Sequence, residues 1–269
     1  MVKGKYLICL IFSLLILSCS SPQRVAKEFL HKKELLPILY ISNSAIYTEF
    51  YRPSEILDTL NYYKPEVLSS MLDDTLAGIM MNLYDEVFVD ALRMYDFQVF
   101  TADSIAAFFS ESRPAWQLSL VQTSIEEHRM WFEDEITFTD YSVIWDTVIS
   151  QFQYNTWFEL TPVNADSAIP THLFFASVSV SDNINGRFVY DWGARVYSYV
   201  YDFYPVDVGD LFTLVASAAM THGSYLFDFF LNRYVYFNCK KSEKMKFYFT
   251  YDIRKRKLLP AKENRFIFL

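Results

Sequence analysis

Glycine is scarce in this chain, six in 269 residues. Beyond the first twenty residues Gly78, Gly186, Gly193, Gly209 and Gly223 each stand alone. Phosphate-cradling loops and dinucleotide fingerprints need clustered glycines for close backbone approach, so nucleotide sites of those kinds are excluded, and no cofactor is expected. Cysteine is nearly as rare: Cys9, Cys19 and Cys239 cannot build a disulfide framework. The four histidines, His31, His128, His172 and His222, are scattered without metal-ligand spacing, so no metal site is expected. Basic charge is short as well, with 24 Lys and Arg against 32 Asp and Glu. An acidic chain is a poor match for nucleic acid. No apolar run reaches the roughly eighteen residues that mark a membrane-spanning helix.

The longest apolar run is Tyr6 to Leu17, twelve residues broken only by Ser13. A helix of that length rises about 18 Å at ~1.5 Å per residue, short of the ~30 Å hydrocarbon core. It has the length of a signal-peptide apolar region, with Lys3 and Lys5 as the positive leader and Ser18 as the small residue before cleavage. Ile16, Leu17, Ser18 and Cys19 follow the lipobox order, and here the chain resembles bacterial lipoprotein precursors. The alternative is an ordinary signal peptide with an incidental cysteine. The resemblance implies cleavage before Cys19, lipidation of Cys19 and, with Ser20 and Ser21 following instead of an aspartate, sorting to the outer membrane. It gives a signal peptide over 1–18, a tether over 19–29 and one domain over 30–269. Its partners are then the membrane, through the N-terminal lipid, and a further envelope protein.

The body is rich in core material: 52% of residues are apolar, with 25 Phe and 20 Tyr. "LLPILYISNSAIY" (35–47) suits a strand buried on both faces. "DDTLAGIMMNLYDEVFVDALRMY" predicts a helix of about 22 residues capped by Asp73 or Asp74, with Leu76, Ile79, Met80, Leu83, Val87, Ala91 and Met94 inward. "DFQVF" reads as a strand and "TADSIAAFF" as a short helix capped by Thr101 or Asp103. The middle, 115–160, predicts two or three strands. Residues 172–203 predict an antiparallel meander with Asn185-Gly186 at one corner, and Tyr197, Tyr199, Tyr201 and Phe203 on one face. Asp207 or Asp210 opens a second long helix to about Tyr234, with Leu211, Leu214, Val215, Ala218, Leu226, Phe229 and Phe230 inward. "MKFYFTYDI" and "RFIFL" form a closing hairpin. The fold class is α/β (α+β): a mixed, partly antiparallel sheet with two long helices packed on it.

This order of elements is similar to periplasmic lipoprotein domains of the curli-secretion and penicillin-binding-protein-activator type. That similarity implies an assembly or regulatory role. "VAKEFL", "WFEL" and "SYLFDFFLNRYVY" resemble aromatic-rich envelope lipoproteins of Gram-negative bacteria, a resemblance that brings no mechanism.

Catalytic patterns are sparse. In "EEHRMWFEDE" (126–135) strand alternation puts Glu126, His128 and Asp134 on one side, but only Glu126 and His128 are near enough to share a ligand. The stretch reads rather as a solvated strand edge guarded by charge. "HGSY" (222–225) lies within a helix and lacks a nucleophile elbow, so Gly223 marks a close backbone approach. Cys239 reads as a half-buried residue at a strand start. The tryptophans and the 197–201 tyrosine row read as a covered sheet face, with a sugar-stacking platform as the alternative. Five Asp-Ser/Thr-aliphatic triplets resemble an O-glycosylation consensus of exported Gram-negative proteins, which makes Thr59, Thr75, Ser104, Thr147 and Ser167 the acceptors, although helix capping accounts for some of them. From Lys240 to Leu269 there are ten Lys or Arg against three Asp or Glu. Arg254, Lys255, Arg256 and Lys257 fall where a hairpin turn would project them, as a contact for an anionic surface or as a neutralising edge. The function class read from all this is a lipid-anchored, non-catalytic interaction or assembly protein. The alternative is an envelope hydrolase or a glycan-binding lipoprotein.

Overall fold

The computed structural model describes residues 22–32, 36–43, 45–51, 68–137, 142–164, 169–239, 248–262, 265 and 267–268. The Tyr6–Leu17 run, Cys19, Thr59 and Ser167 lie outside them.

Strand β1 (Pro37–Ile41) is aliphatic on both sides and is buried through its first four residues. Alternation sends Ile38 and Tyr40 into the main core and Leu39 to the opposite face, where it meets Phe108 and Ala115. Helix α1 (Pro22–Lys32) precedes it, and β2 (Tyr47–Tyr51) and the single turn α2 (Leu68–Met71) follow. Helix α3 (Asp74–Met94) starts where the Asp73 side chain accepts the Leu76 N–H at 2.8 Å, satisfying one of the free amides of the first turn. Strand β3 (Gln98–Phe100), a 3₁₀ turn capped at Thr101, and α4 (Ile105–Phe109) complete a β-α-β-α opening.

Two long strands, β4 (Ala115–Thr137) and β5 (Ser142–Val163), then pair antiparallel along their whole length. Strand β6 (His172–Ser181) adds to β5, with Phe174 and Ala176 buried and Val178 and Val180 packed on the core, as its alternation predicts. The sheet order is β11-β6-β5-β4-β1-β3, where β11 is Ile267–Phe268, and β2 also lies beside β4. β1 and β2 both run parallel to β4, so the sheet is mixed. Helix α5 (Val208–Asn238) carries a capping box between Asp207 and Asp210 and buries all seven predicted inner residues. It crosses α3 at Gly223, where an added Cβ would sit 2.7 Å from that of Ala91, so the close approach expected at this glycine is present.

Several expectations are corrected. The inward stripe of α3 is Met80, Met81, Tyr84, Phe88, Ala91 and Leu92, while Ile79 and Met94 face solvent. Tyr84 and Phe88, at i and i+4, are fully buried and their rings stack at 5.6 Å on the inward side. There is no three-strand meander. β7 (Asn183–Asp191) and β8 (Val196–Tyr204) form a separate two-stranded ribbon, turned at residues 192–195, with Asn185-Gly186 inside β7. The closing hairpin is β9 (Tyr248–Asp252) with β10 (Lys257–Ala261), and the 267–268 pair joins β6 instead. Cys239 is buried at the C-terminal cap of α5, not at a strand start.

Candidate functional site

Helices α1, α3 and α5 pack on one side of the sheet, α4 packs on the other beside β1, and the same outer side of β2, β4, β5 and β6 carries a row of polar side chains. A bulge between Leu120 and Gln122 divides β4. Before it the even residues Trp116, Leu118 and Leu120 face the core; after it the odd residues Thr123, Ile125, Glu127 and Arg129 do. The surplus Val121 is exposed, and its carbonyl accepts the Asn43 side chain at 3.4 Å. Ser124, Glu126 and His128 are thereby turned to the outer face.

There the structure brings Glu126 and His128 together. His128 Nε2 and Glu126 Oε2 are 3.1 Å apart, Asn155 Nδ2 donates to Glu126 Oε1 at 2.5 Å, and Tyr51 stacks on the His128 ring at 4.9 Å. Gln151 and Gln153 of β5 and Ser177 and Ser179 of β6 continue the same face by register. Residues 124–128 are no free edge, since they pair with β2 on one side and β5 on the other, whereas 129–135 pair with β5 alone among the described residues. Glu127 and Arg129 point the opposite way and form a buried ion pair at 2.7 Å.

Asp134, the third member of the predicted constellation, lies further along and accepts the Tyr201 hydroxyl at 3.1 Å. Desolvation and that carboxylate push the phenol up to about 12. Tyr201 also stacks on Trp145 at 4.1 Å and 14°, and Trp145 meets Phe132. Through Tyr201 the outer face runs into the ribbon. Cross-strand register places Ile184, Gly186, Phe188 and Tyr190 opposite Phe203, Tyr201, Tyr199 and Tyr197 on one face. The Tyr199 ring lies over Gly186, where any Cβ would collide with it. The tyrosine row is thus not a covered core face: Tyr197 is 73% exposed and Trp192, in the turn, 84%. The rings meet at steep angles, 73° for Phe188 with Tyr199 and 86° for Tyr190 with Trp192, so they form a ridged surface and not a flat platform.

A concavity of about 560 Å³ lies beyond the C-terminal ends of β1 and β3 and is lined by Ser42, Asp85 and Thr101. α3 and α4 leave these neighbouring strands on opposite faces, the position at which open α/β sheets commonly bind ligands. Asp85 accepts Tyr40 Oη at 2.6 Å and Ser42 Oγ at 2.5 Å. Burial raises its pKa while the two hydroxyls oppose the rise.

His222 and Ser224 do not meet. His222 is fully buried, 2.8 Å from the Tyr84 hydroxyl, and burial lowers its pKa to about 3, whereas Ser224 donates to the Thr221 carbonyl. Among the described residues no group of three His, Cys, Asp or Glu converges, and no helix is long and apolar enough to cross a membrane. Of the described triplet acceptors, Thr75 is exposed in the first turn of α3. Thr147 is half-buried opposite Phe132, and Ser104 Oγ is engaged with the Thr101 backbone. Arg254, Lys255, Arg256 and Lys257 are all exposed at the β9–β10 turn. The amide and hydroxyl row of the outer face was legible as polar alternation in β5 and β6. The bulge that aims β4 had no such signal. No family model matches the chain, and no curated protein does.

Proposed function

We propose that the protein is a lipid-tethered, non-catalytic binding protein of the cell envelope, held in the outer membrane through Cys19. In this reading the outer sheet face and the aromatic ribbon receive an envelope partner. The observation that carries it is the Trp145–Tyr201 stack, which joins the two into one aromatic and polar surface. A photo-crosslinking side chain at Trp192, in cells, should yield one discrete adduct that disappears in Trp145→Ala/Tyr201→Ala. An adduct unchanged by that pair would overturn this use of the surface. For the tether, labelled fatty acid should enter the wild type and not Cys19→Ala; retention of Cys19→Ala in carbonate-washed membranes would overturn the lipid anchor.

One observation favours a glycan as the partner: Gln151, Gln153, Asn155, Ser177 and Ser179 set side-chain amides and hydroxyls on the face that carries the Tyr51–His128 stack. Cell-wall oligosaccharides should then shift tryptophan fluorescence in the wild type and not in Gln153→Ala/Asn155→Ala. No shift in either form removes the glycan reading.

A further inference from the structure

Helix α1 and the β9–β10 turn are far apart in sequence, yet they form two walls of one groove. The groove encloses about 520 Å³, with Phe29 and Leu30 of α1 on one side, Ile253 and Arg256 of the turn on another, and Tyr95 and Phe227 between. Phe29 fixes α1 to α5 through ring contacts with Phe227 at 5.7 Å and Tyr234 at 5.3 Å. On α1 the exposed Lys27 stands one turn before Leu30 and so on the same side of the helix. The turn holds Arg254, Lys255, Arg256 and Lys257 in solvent. Among the described residues only Lys255 of these four has a carboxylate in ion-pair range, Asp252 at 3.5 Å. The body over residues 19–239 has 29 Asp or Glu against 12 Lys or Arg, so charge of the opposite sign is concentrated away from this turn.

We propose that the β9–β10 turn, with Arg254, Lys255, Lys257 and the groove-lining Arg256, and Lys27 of α1 across the groove lie against anionic lipid headgroups. The proposal rests on the tether reading for its geometry. Pro22, where α1 begins, is three residues from Cys19, about 10 Å of extended chain, and α1 itself is about 16 Å long. A lipid on Cys19 would hold the groove rim close to the bilayer, where each Lys or Arg strengthens attachment about fivefold. The acidic remainder is repelled by the same surface. Attraction at one end and repulsion elsewhere set an orientation, not only an affinity, and direct the rim toward the bilayer.

The chain from residue 20 contains every described element and needs no acylation, so this test is independent of fatty-acid labelling. Its far-UV spectrum and cooperative unfolding serve as the check that it folds. With phosphatidylcholine vesicles containing phosphatidylglycerol, at low salt, the wild type should sediment with the lipid; with pure phosphatidylcholine it should not. The variant Arg254→Gln/Lys255→Gln/Arg256→Asn/Lys257→Gln, with Asn at the one position of positive φ, should bind about six-hundredfold more weakly. Lys27→Gln alone should lose about fivefold. Should the fourfold variant misfold, Arg254→Gln/Lys257→Gln serves in its place, with an expected loss of about twenty-five-fold. Binding of the wild type should vanish in high salt. Absence of wild-type binding to the anionic vesicles, equal binding by the variants, or equal binding to neutral vesicles would each overturn the proposal. Failure of fatty-acid labelling with vesicle binding intact would instead overturn the tether and leave the surface standing.

Discussion

Asp182 and Val206, 24 residues apart, close the base of the ribbon: the Asp182 carboxylate accepts the Val206 N–H at 2.9 Å and, through its other oxygen, the Ser150 N–H at 2.8 Å. One side chain thus fastens both ends of a two-stranded ribbon that has no third strand among the described residues. Such ribbons are marginal alone. Asp182→Ala leaves two buried amides without an acceptor, at about 1–3 kcal/mol each. Hydrogen exchange of amides in 183–204 should accelerate more than that of α5, and uniform acceleration would assign Asp182 to the core alone.

Stability against pH should reflect two opposed buried groups. Burial raises Asp228 to about 7, above its ordinary 3.8, so the folded state holds a proton that the unfolded state releases, and this contribution falls as pH rises from about 4 to 7. Burial lowers His222 to about 3 from 6.5, so its contribution is fully present above 6.5 and is lost as pH falls toward 3. The two slopes offset one another in the wild type. Asp228→Asn keeps an acceptor for the Tyr251 N–H and should expose the histidine slope, with urea midpoints falling steadily from pH 6.5 to 4. A flat profile in Asp228→Asn would contradict the assignment.

Gly223→Ala should destabilise the protein by about 1–3 kcal/mol, because its new methyl meets Ala91 Cβ at 2.7 Å and both helix backbones are fixed. Ala91→Gly in the same chain should recover part of the loss. A double-mutant cycle with no coupling would place the strain elsewhere.

The Glu127–Arg129 pair is tied to its surroundings through the Leu68 N–H, which Glu127 accepts at 2.8 Å, and Ser150 Oγ, to which Arg129 donates at 2.6 Å. Removing one charge strands the other, so Arg129→Met should cost about 3–5 kcal/mol. Glu127→Leu/Arg129→Met should be less damaging than Arg129→Met alone. The reverse order in chemical denaturation would mean that the pair contributes net stability.

If the Asp-Thr-aliphatic triplets are glycosylated, Thr75 is the described acceptor with an exposed side chain. Protein purified from its native host should exceed the mass of its polypeptide with any acyl chains counted, and Thr75→Ala should reduce the excess. An intact mass without such an excess dismisses the modification.

The parts of this fold legible beforehand are those governed by near neighbours in sequence. Asp73 and Asp207 announced their helices because a cap acts over three residues. The α5 stripe was legible because Leu211, Leu214, Val215 and Ala218 recur at three- and four-residue spacing. Where competing rows were both apolar, as on α3, periodicity could not choose between Ile79 and Tyr84, and packing against α5 decided. The ribbon misled for a different reason. Alternating tyrosines look alike whether a layer covers them or not, and here none of the described elements covers Tyr197. Glu127 and Arg129 looked like edge charges because burial of an ion pair depends on partners 59 and 21 residues distant.

Val121 gives the chain a reading frame in the side-to-side sense. Insertions and deletions in strands are usually judged by whether the pairing survives, but in β4 the pairing with β5 could survive loss of Val121 with the faces exchanged. Every later residue would move by one place. Glu126 and His128 would enter the core, and Glu127 with Arg129 would emerge on the open face, unless the bulge re-formed elsewhere. Sequence change along this strand is therefore tolerated as substitution at Val121, which is exposed, and not as a change of length.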